Sequence, residues 1–263
     1  MSNTLFPHKP FRISTTRQSG SAMHSHHHHE EFEIYYMISG KCSYFIEDKI
    51  YEVLPGDVVI IPEKIIHRTK YSSDTHVRIL IECSGEFIPP ETRDSLKELY
   101  FIYRNPTVSL DILASLKRIE REYKNPDAYS ESVIEAELKL LIYTMVRNRG
   151  TPEEAITKNS LIESVVAYVK ENFAQDISLA SVAKAHFVSP EHLSRTFKKE
   201  TEFGFNEYLT TVRLRYAEQR LKSRGNESIS KIGFDAGFND SNYFSDKFKK
   251  AYGISPLRYS KEN

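Results

Sequence analysis

The sequence predicts an α+β chain of two domains: an N-terminal jelly-roll β-barrel with a helical arm, followed by an all-α domain. Three observations predict it. Residues 1–85 consist of short runs rich in Ile, Val, Tyr and Phe, cut by turn residues. From Thr92 onward the apolar spacing lengthens to that of a helix. The last hundred residues repeat themselves at an offset of 50 to 51. At 263 residues the chain is long enough to bury a core in each domain.

The strand runs fall at 31–38, 41–47 and 58–61, separated by Gly40 and by the Pro55-Gly56-Asp57 corner. Short strands at such spacing suit a small barrel. In the arm, Leu96, Leu99, Ile112, Leu116 and Ile119 fall at helical intervals. After the Asn125-Pro126-Asp127 break, Val133, Ile134, Leu138, Leu141, Ile142 and Met145 form one apolar stripe over 132–147. That stripe is to be covered either by the barrel or by the same helix of a second chain. Gly150-Thr151-Pro152 then breaks the pattern. The expected organisation is a barrel over 1–90, a helical, dimerising arm over 91–150, a linker over 151–159 and an all-α domain over 160–263.

Charge is balanced overall, with 36 basic and 36 acidic residues. Residues 160–263 carry 16 basic against 13 acidic, and residues 1–159 carry 20 against 23. A modest C-terminal positive bias is compatible with a phosphate backbone as partner. Two cysteines without CxxC spacing argue against a disulfide-stapled secreted fold. No apolar run approaches the roughly 18 residues of a membrane span. A soluble, cytoplasmic protein that engages no membrane is expected.

The repeat is the most informative feature. Leu179, Val182 and Ala183 match Ile229, Ile232 and Gly233 at a spacing of 50. Leu193, Phe197, Lys198 and Lys199 match Phe244, Phe248, Lys249 and Lys250 at 51, so the extra residue falls in the turn between them. Each copy reads as a short helix, a tight turn and a second helix. The small residue, Ala183 or Gly233, lets the second helix cross closely. Ser189-Pro190 and Ser255-Pro256 each set an N-cap before a proline at the first helical position. The second helix has buried anchors at i and i+4 and an opposite face that stays polar, as a helix lying in a major groove about 12 Å wide requires. That face carries Glu191, His192, Ser194, Arg195 and Lys198 in the first copy, and Ser241, Asn242, Ser245, Asp246 and Lys249 in the second. A connecting helix over 206–223, with Arg213, Arg215, Arg220, Lys222 and then Arg224, would hold the two at a fixed distance.

Residues 160–260 resemble the DNA-binding domain of the AraC/XylS family of bacterial transcriptional regulators. The resemblance rests on Ile177-Ser-Leu-Ala-Ser-Val-Ala, Ser189-Pro-Glu-His-Leu-Ser-Arg-Thr-Phe-Lys-Lys, Ile232-Gly-Phe-Asp-Ala-Gly-Phe and the run from Tyr243 to Tyr259. It implies that double-stranded DNA is the partner and that base edges are read from Glu191, Ser194 and Arg195, then from Asn242, Tyr243, Ser245 and Asp246. Arg195 can donate bidentately to guanine and Asn242 can pair with adenine; Glu191 and Asp246, acidic where the family often has neutral or basic groups, can either accept from cytosine N4 or make no base contact. Lys198, Lys199, Lys249 and Lys250 are read as phosphate contacts.

The histidine run 26–29 enters a strand. The spacings His26-x-His28-x₄-Glu33-x₆-Gly40 and Gly56-x₅-Pro62-x₄-His67 resemble the paired motifs of the cupin barrel, with Lys64 and Tyr71 departing from the second motif. The resemblance implies that His26, His28, Glu33 and His67 could ligate a divalent cation, for which Zn, Mn, Fe or Ni suits the donor set. The same side chains, with Tyr35 in phase with Glu33, could instead line a pocket for a small effector such as a sugar or other metabolite, or belong to a solvated loop. The favoured reading is a sequence-specific, effector-controlled transcriptional regulator, commonly an activator, acting as a homodimer and without catalytic residues. Two alternatives stand beside it: a metal-dependent cupin enzyme with an accessory DNA-binding part, and a helical scaffold for protein partners.

Overall fold

A computed structural model describes residues 5–18, 31–47, 49–63, 65–71, 75–97, 99, 101–149, 151–152, 160–223 and 227–262. The chain divides into two compact units, Met1–Thr157 and Lys158–Asn263. No described helix is long and apolar enough to cross a membrane.

The first unit holds strands β1 (Phe11–Gln18), β2 (Phe32–Ser39), β3 (Cys42–Ile46), β4 (Lys49–Val53), β5 (Val58–Ile61), β6 (His67–Tyr71), β7 (His76–Cys83), β8 (Ile102–Arg104) and β9 (Thr151–Pro152). They form a six-stranded sheet in the order β1-β7-β2-β5-β8-β9 and a three-stranded sheet in the order β4-β3-β6. Every pairing is antiparallel. Alternation along each strand sorts side chains between two cores. On β2, Tyr35 and Met37 join Tyr44 and Ile46 of β3, Val53 of β4 and Val59 of β5 in the core of Tyr, Ile and Val side chains that contains residues of both sheets. The alternate residues Ile34 and Tyr36 face a second core beneath the helices.

The helices of this unit are α1 (Arg93–Lys97), α2 (Ser109–Lys124) and α3 (Ser130–Arg147). Ile112, Leu116 and Ile119 of α2 and Ile134, Leu138, Leu141, Ile142 and Met145 of α3 are buried in one cluster with Ile34, Val58, Ile60, Ile79 and Ile81 of the large sheet. The stripe on α3 is therefore covered by the chain's own sheet. Burying its five residues contributes roughly 10 kcal/mol before the opposing conformational entropy is subtracted. Val133 stands off the stripe, 36% exposed.

Two features lie beyond the barrel and linker bounds expected from sequence. β8 extends the large sheet past residue 90, pairing Val58 with Tyr103 and Val59 with Ile102. Thr151 and Pro152, expected to open a linker, add an edge strand to β8, a position that tolerates proline. Arg104 fixes this edge by donating from Nε and Nη2 to the Asp57 carboxylate at 2.7 and 2.5 Å. Asp57 also accepts from the Leu54 amide at 2.8 Å, closing the Pro55-Gly56 corner.

The second unit is all-α: α4 (Ser160–Asn172), α5 (Leu179–Ala185), α6 (Pro190–Thr201), α7 (Phe205–Lys222), α8 (Ile229–Asp235), α9 (Ser241–Tyr252) and α10 (Pro256–Glu262). The pairs α5–α6 and α8–α9 are the two copies of the repeat. Ser178 and Ser228 cap the first helices by accepting from the amides of Ser181 and Lys231. The turn residue in left-handed conformation is Phe187 in the first copy (φ 57°) and Gly237 in the second (φ 89°). Glycine is required at 237, because a Cβ there would lie 2.6 Å from the Phe173 carbonyl oxygen.

Candidate nucleic-acid interface and effector chamber

The second helix of each copy is held from beneath by two anchors and from its end by a cap. Leu193 and Phe197 are fully buried under α6, as are Phe244 and Phe248 under α9. Ser189 accepts from the His192 amide at 3.1 Å, and Asp240 accepts from the Tyr243 amide at 2.6 Å. Both helices run for 12 residues and end on a left-handed residue, Glu202 or Gly253. These constraints turn the polar faces outward. Glu191, His192, Ser194, Arg195, Lys198 and Lys199 of α6 are exposed, as are Asn242, Tyr243, Asp246, Lys249 and Lys250 of α9; Ser241 and Ser245 are half-buried.

The outward side chains are not equally available. Among the described residues, Arg195, Asn242, Asp246, Lys249 and Lys250 have no side-chain hydrogen bond or ion pair. Lys198 instead donates from Nζ to the Glu202 carbonyl at 2.5 Å, satisfying an orphan acceptor at the C-terminus of its own helix. Lys199 reaches Glu200 at 3.9 Å. The Ser241 hydroxyl lies 2.9 Å from that of Ser230 on α8, which ties the start of α9 to the helix before it. The Tyr243 ring packs 6.2 Å from Phe238, and Lys247 Nζ sits 5.0 Å from its centroid. Lys247 was not singled out from sequence; its place four residues beyond Tyr243 is the signal that could have found it.

The connector carries structural rather than exposed charges. Arg213 on α7 donates to the carbonyls of Phe173 at 2.7 Å and Gln175 at 2.8 Å, and its burial pulls its pKa below the usual guanidinium value. Arg220 donates to Tyr216 at 2.9 Å and to Glu227 at 2.5 Å. Lys222 pairs at 3.0 Å with the buried Glu218, which also accepts from Tyr259 at 2.7 Å. Arg224 lies outside the described residues.

In the first unit, Glu33, Tyr35 and His67 come together between the sheets. His67 donates from Nδ1 to the Ile65 carbonyl at 2.9 Å and turns Nε2 toward Glu33, 3.4 Å away. The other Glu33 oxygen accepts from Tyr44 at 3.1 Å. Tyr35 stands edge-on to Tyr44, with centroids 5.3 Å apart, and its hydroxyl meets Cys42 Sγ at 3.6 Å. The Arg78 guanidinium lies 5.6 Å from the Tyr35 ring centroid, and Tyr71 stacks on His76 at 3.8 Å. Burial pushes the Tyr35 and Tyr44 phenols well above their usual range and lifts Tyr71 and the Cys42 thiol to about 12. The Tyr44 hydroxyl is already given to Glu33 and the Tyr35 hydroxyl is engaged with Cys42, so these side chains hold one another between the sheets.

His26 and His28, the other two candidates for this chamber, lie outside the described residues. Among the described residues no group of three His, Cys, Asp or Glu converges as a metal site would require. Glu33 and His67 face each other, with Tyr44 on the carboxylate, so the described donors alone do not make a cation site. Tyr44, Cys42, Tyr71 and Arg78 were not expected as lining. Alternation alone would have put Tyr44 and Cys42 on one face, but which strands oppose each other is set by register.

Comparison with known proteins agrees with both halves. The sequence profile of the AraC-like ligand binding domain matches residues 10–142, half of the chain, and that of a helix-turn-helix domain matches 182–262. The HTH-type transcriptional activator RhaR of Mannheimia succiniciproducens is 25% identical over 244 residues, covering 89% of this chain and 86% of that protein. The HTH-type transcriptional activator RhaS of Klebsiella pneumoniae is 26% identical over 241 residues, covering 88% and 85%. The HTH-type transcriptional regulator YijO of Escherichia coli is 36% identical over 110 residues, 42% of this chain and 38% of that protein. These relatives are named as regulators of transcription and not as enzymes. With a ligand-binding domain matched ahead of a duplicated, outward-facing helix-turn-helix, the chain belongs to the AraC family of DNA-binding transcriptional regulators.

Proposed function

We propose that this regulator reads duplex DNA with α6 and α9 and answers to a small molecule held between the sheets of its first unit. The observation that carries the DNA reading is the pair of equivalent helices, each capped and anchored so that its polar face turns outward. Arg195 would take guanine and Asn242 adenine. Glu191, Ser194, Tyr243, Ser245 and Asp246 would supply the remaining base-edge contacts, and Lys199, Lys249 and Lys250 would hold phosphates. Lys198 and Ser241 are better placed to brace the helices than to read DNA.

The effector would meet Glu33, Tyr35 and His67, with Tyr44 beside them; His26 and His28, proposed for the same site, lie outside the described residues. It must bind one arrangement of the chain better than another, since equal affinity would change nothing. Activation is the role favoured, in keeping with the named function of the RhaR and RhaS relatives. Such a protein works beside the chromosome, in the cytoplasm, and its two unpaired thiols suit that compartment.

Dimerisation would use the outer edge of α2 and α3. Leu110 and Leu140 are 76% and 53% exposed there. A cavity of about 280 Å³ lined by Asp111, Ile112, Ala114, Arg118, Leu140 and Thr144 lies on the same edge. Protruding leucines and a recess on one face suit a two-fold interface, in which each chain fills the other.

The test is fluorescence anisotropy of the full chain with a labelled 30-base-pair duplex at rising NaCl. A log–log slope worth several phosphates is expected, and it should fall by about one for each of Lys199→Ala, Lys249→Ala and Lys250→Ala. Binding that ignores salt would overturn the proposal.

A further inference from the structure

The two helix-turn-helix copies share one turn geometry but not the residue at its corner. In the first, Phe187 N–H donates to Lys184 O at 3.2 Å and Val188 N–H to Ala183 O at 3.0 Å. In the second, Gly237 N–H donates to Phe234 O at 2.8 Å and Phe238 N–H to Gly233 O at 3.0 Å. The corner residue is left-handed both times, with φ 57° at Phe187 and 89° at Gly237. A Cβ disfavours that region, so glycine fits it without strain and phenylalanine does not.

Nothing in the fold of this unit repays the phenylalanine. Its side chain is 97% exposed, more than any other large apolar side chain described, and it meets no other described ring. An exposed apolar residue alone would need no account, but this one sits on a strained backbone. Nor is the turn loose. His186 beside it stands edge-on to Tyr168 of α4, with centroids 5.7 Å apart, and its Nδ1 lies 3.2 Å from Ser164 Oγ. Val182 and Ala183 before the turn and Leu193 beyond it are fully buried. A rigid support therefore holds the ring out in water.

What covers the ring follows from where the turn lies. A reading helix enters the groove with its N-terminal residues nearest the bases. Phe187 is two residues before the cap Ser189, and two residues of chain span at most about 7 Å. The ring thus stands at the groove end of α6, ahead of Glu191 and Ser194. Phosphates offer a phenyl ring nothing, whereas the major groove offers it one apolar group, the C5-methyl of thymine. On the reading of α6 as a groove helix, we infer that Phe187 is a specificity residue of the DNA interface, closing on a thymine methyl at the edge of the base pairs under α6. The second copy, with glycine at this corner, makes no such contact.

The experiment is a double-substitution cycle measured by anisotropy, with the full chain and a duplex that it selects from a random pool. One change is Phe187→Gly; the other replaces each thymine of the selected site in turn by deoxyuridine, which removes only the methyl. Phe187→Gly should melt no lower than the parent, since it relieves the left-handed strain, yet bind the selected duplex on the order of tenfold more weakly. The log–log salt slope should stay the same, because no phosphate contact is lost. At one position deoxyuridine should cost the parent about fourfold, the worth of one buried methyl, and cost Phe187→Gly nothing. Equal affinity of the two proteins would overturn the inference and leave the ring to a protein partner. A selected site without thymine, or a deoxyuridine cost that is the same in both proteins at every position, would overturn it too, as would a lower melting temperature for Phe187→Gly. Failure of the parent to bind any duplex in a salt-dependent way would instead overturn the assignment of α6.

Discussion

Gly233 is the point at which the second helix-turn-helix packs most tightly relative to the first. A Cβ built on it lies 2.7 Å from Phe244 Cδ1 and 3.0 Å from Cγ, about an ångström inside ordinary contact. The ring cannot withdraw, being fully buried between Phe238 at 5.1 Å and Phe248 at 5.8 Å. The first copy has Ala183 and Leu193 at these two positions, both fully buried, which shows how the same crossing accepts a methyl group when the ring is absent. Gly233→Ala gains about 1 kcal/mol of helix propensity but incurs an overpacking cost of about 1–3 kcal/mol, for a net loss near 1 kcal/mol. Phe244→Leu alone should cost about 1–2 kcal/mol as a large-to-small core change. In the Phe244→Leu background the overpacking disappears, and Gly233→Ala should become stabilising by about 0.5–1 kcal/mol. The coupling between the two sites is then about 2 kcal/mol, well above ordinary non-additivity. Urea unfolding followed at 222 nm, with hydrogen exchange resolved on α8 and α9, measures the cycle in the full chain. If Gly233→Ala stabilises equally in both backgrounds, the close crossing is not what keeps glycine there.

Lys198 and Lys249 occupy equivalent positions but should behave differently. Lys198→Ala removes the bond to the Glu202 carbonyl and should lower stability by about 0.5–1 kcal/mol with little change in the salt slope of DNA binding. Lys249→Ala should leave the melting temperature unchanged and weaken binding to all sequences alike; the opposite pattern in paired melting and anisotropy measurements would reverse the two assignments. Glu120 supplies a pH prediction. Burial opposes its charge, but bonds from Lys124 and Lys117 outweigh this and depress its pKa to about 2, below the ordinary 4.5. A depressed carboxylate stabilises the fold above its unfolded pKa, and that stability is lost as pH falls from about 4.5 toward 2. Glu120→Gln should flatten this part of the acid limb of a melting-temperature profile, and an unchanged limb would remove Glu120 from the account.

The second unit was legible because it contains its own control. A lone Ser-Pro or a lone pair of buried aromatics marks a helix, whereas the same marks recurring 50 and 51 residues later also give the turn and the register. What sequence could not supply there was non-local or conformational. Lys198 is visibly on the polar face, but its diversion depends on the left-handed Glu202 bringing a carbonyl within reach. Arg213 looks like one charge among several on a helix, yet its place against the Phe173 and Gln175 carbonyls follows from packing between elements about 40 residues apart. In the first unit the long β-branched runs were plain, while β8 and β9, at three and two residues, are too short to show any period.

The stripe on α3 and the chamber between the sheets show the same boundary from two sides. Helical periodicity established that Ile134, Leu138, Leu141, Ile142 and Met145 share a buried face, but a partner chain and the chain's own sheet cover such a face equally well. Strand alternation likewise put Glu33 and Tyr35 on one side of β2, but their neighbours are decided by pairing. Glu33 lies opposite Ile61 on β5 and Glu82 on β7, while Tyr44 and His67 come from the facing three-stranded sheet. A one-residue slip in any of these strands would send its side chains to the other face. The chemistry of an effector site in such a barrel is therefore a property of register more than of any motif. The histidine spacing pointed to this part of the barrel, and the phenols of Tyr35 and Tyr44 and the Cys42 thiol meet Glu33 and His67 there through strand pairing that no motif carries.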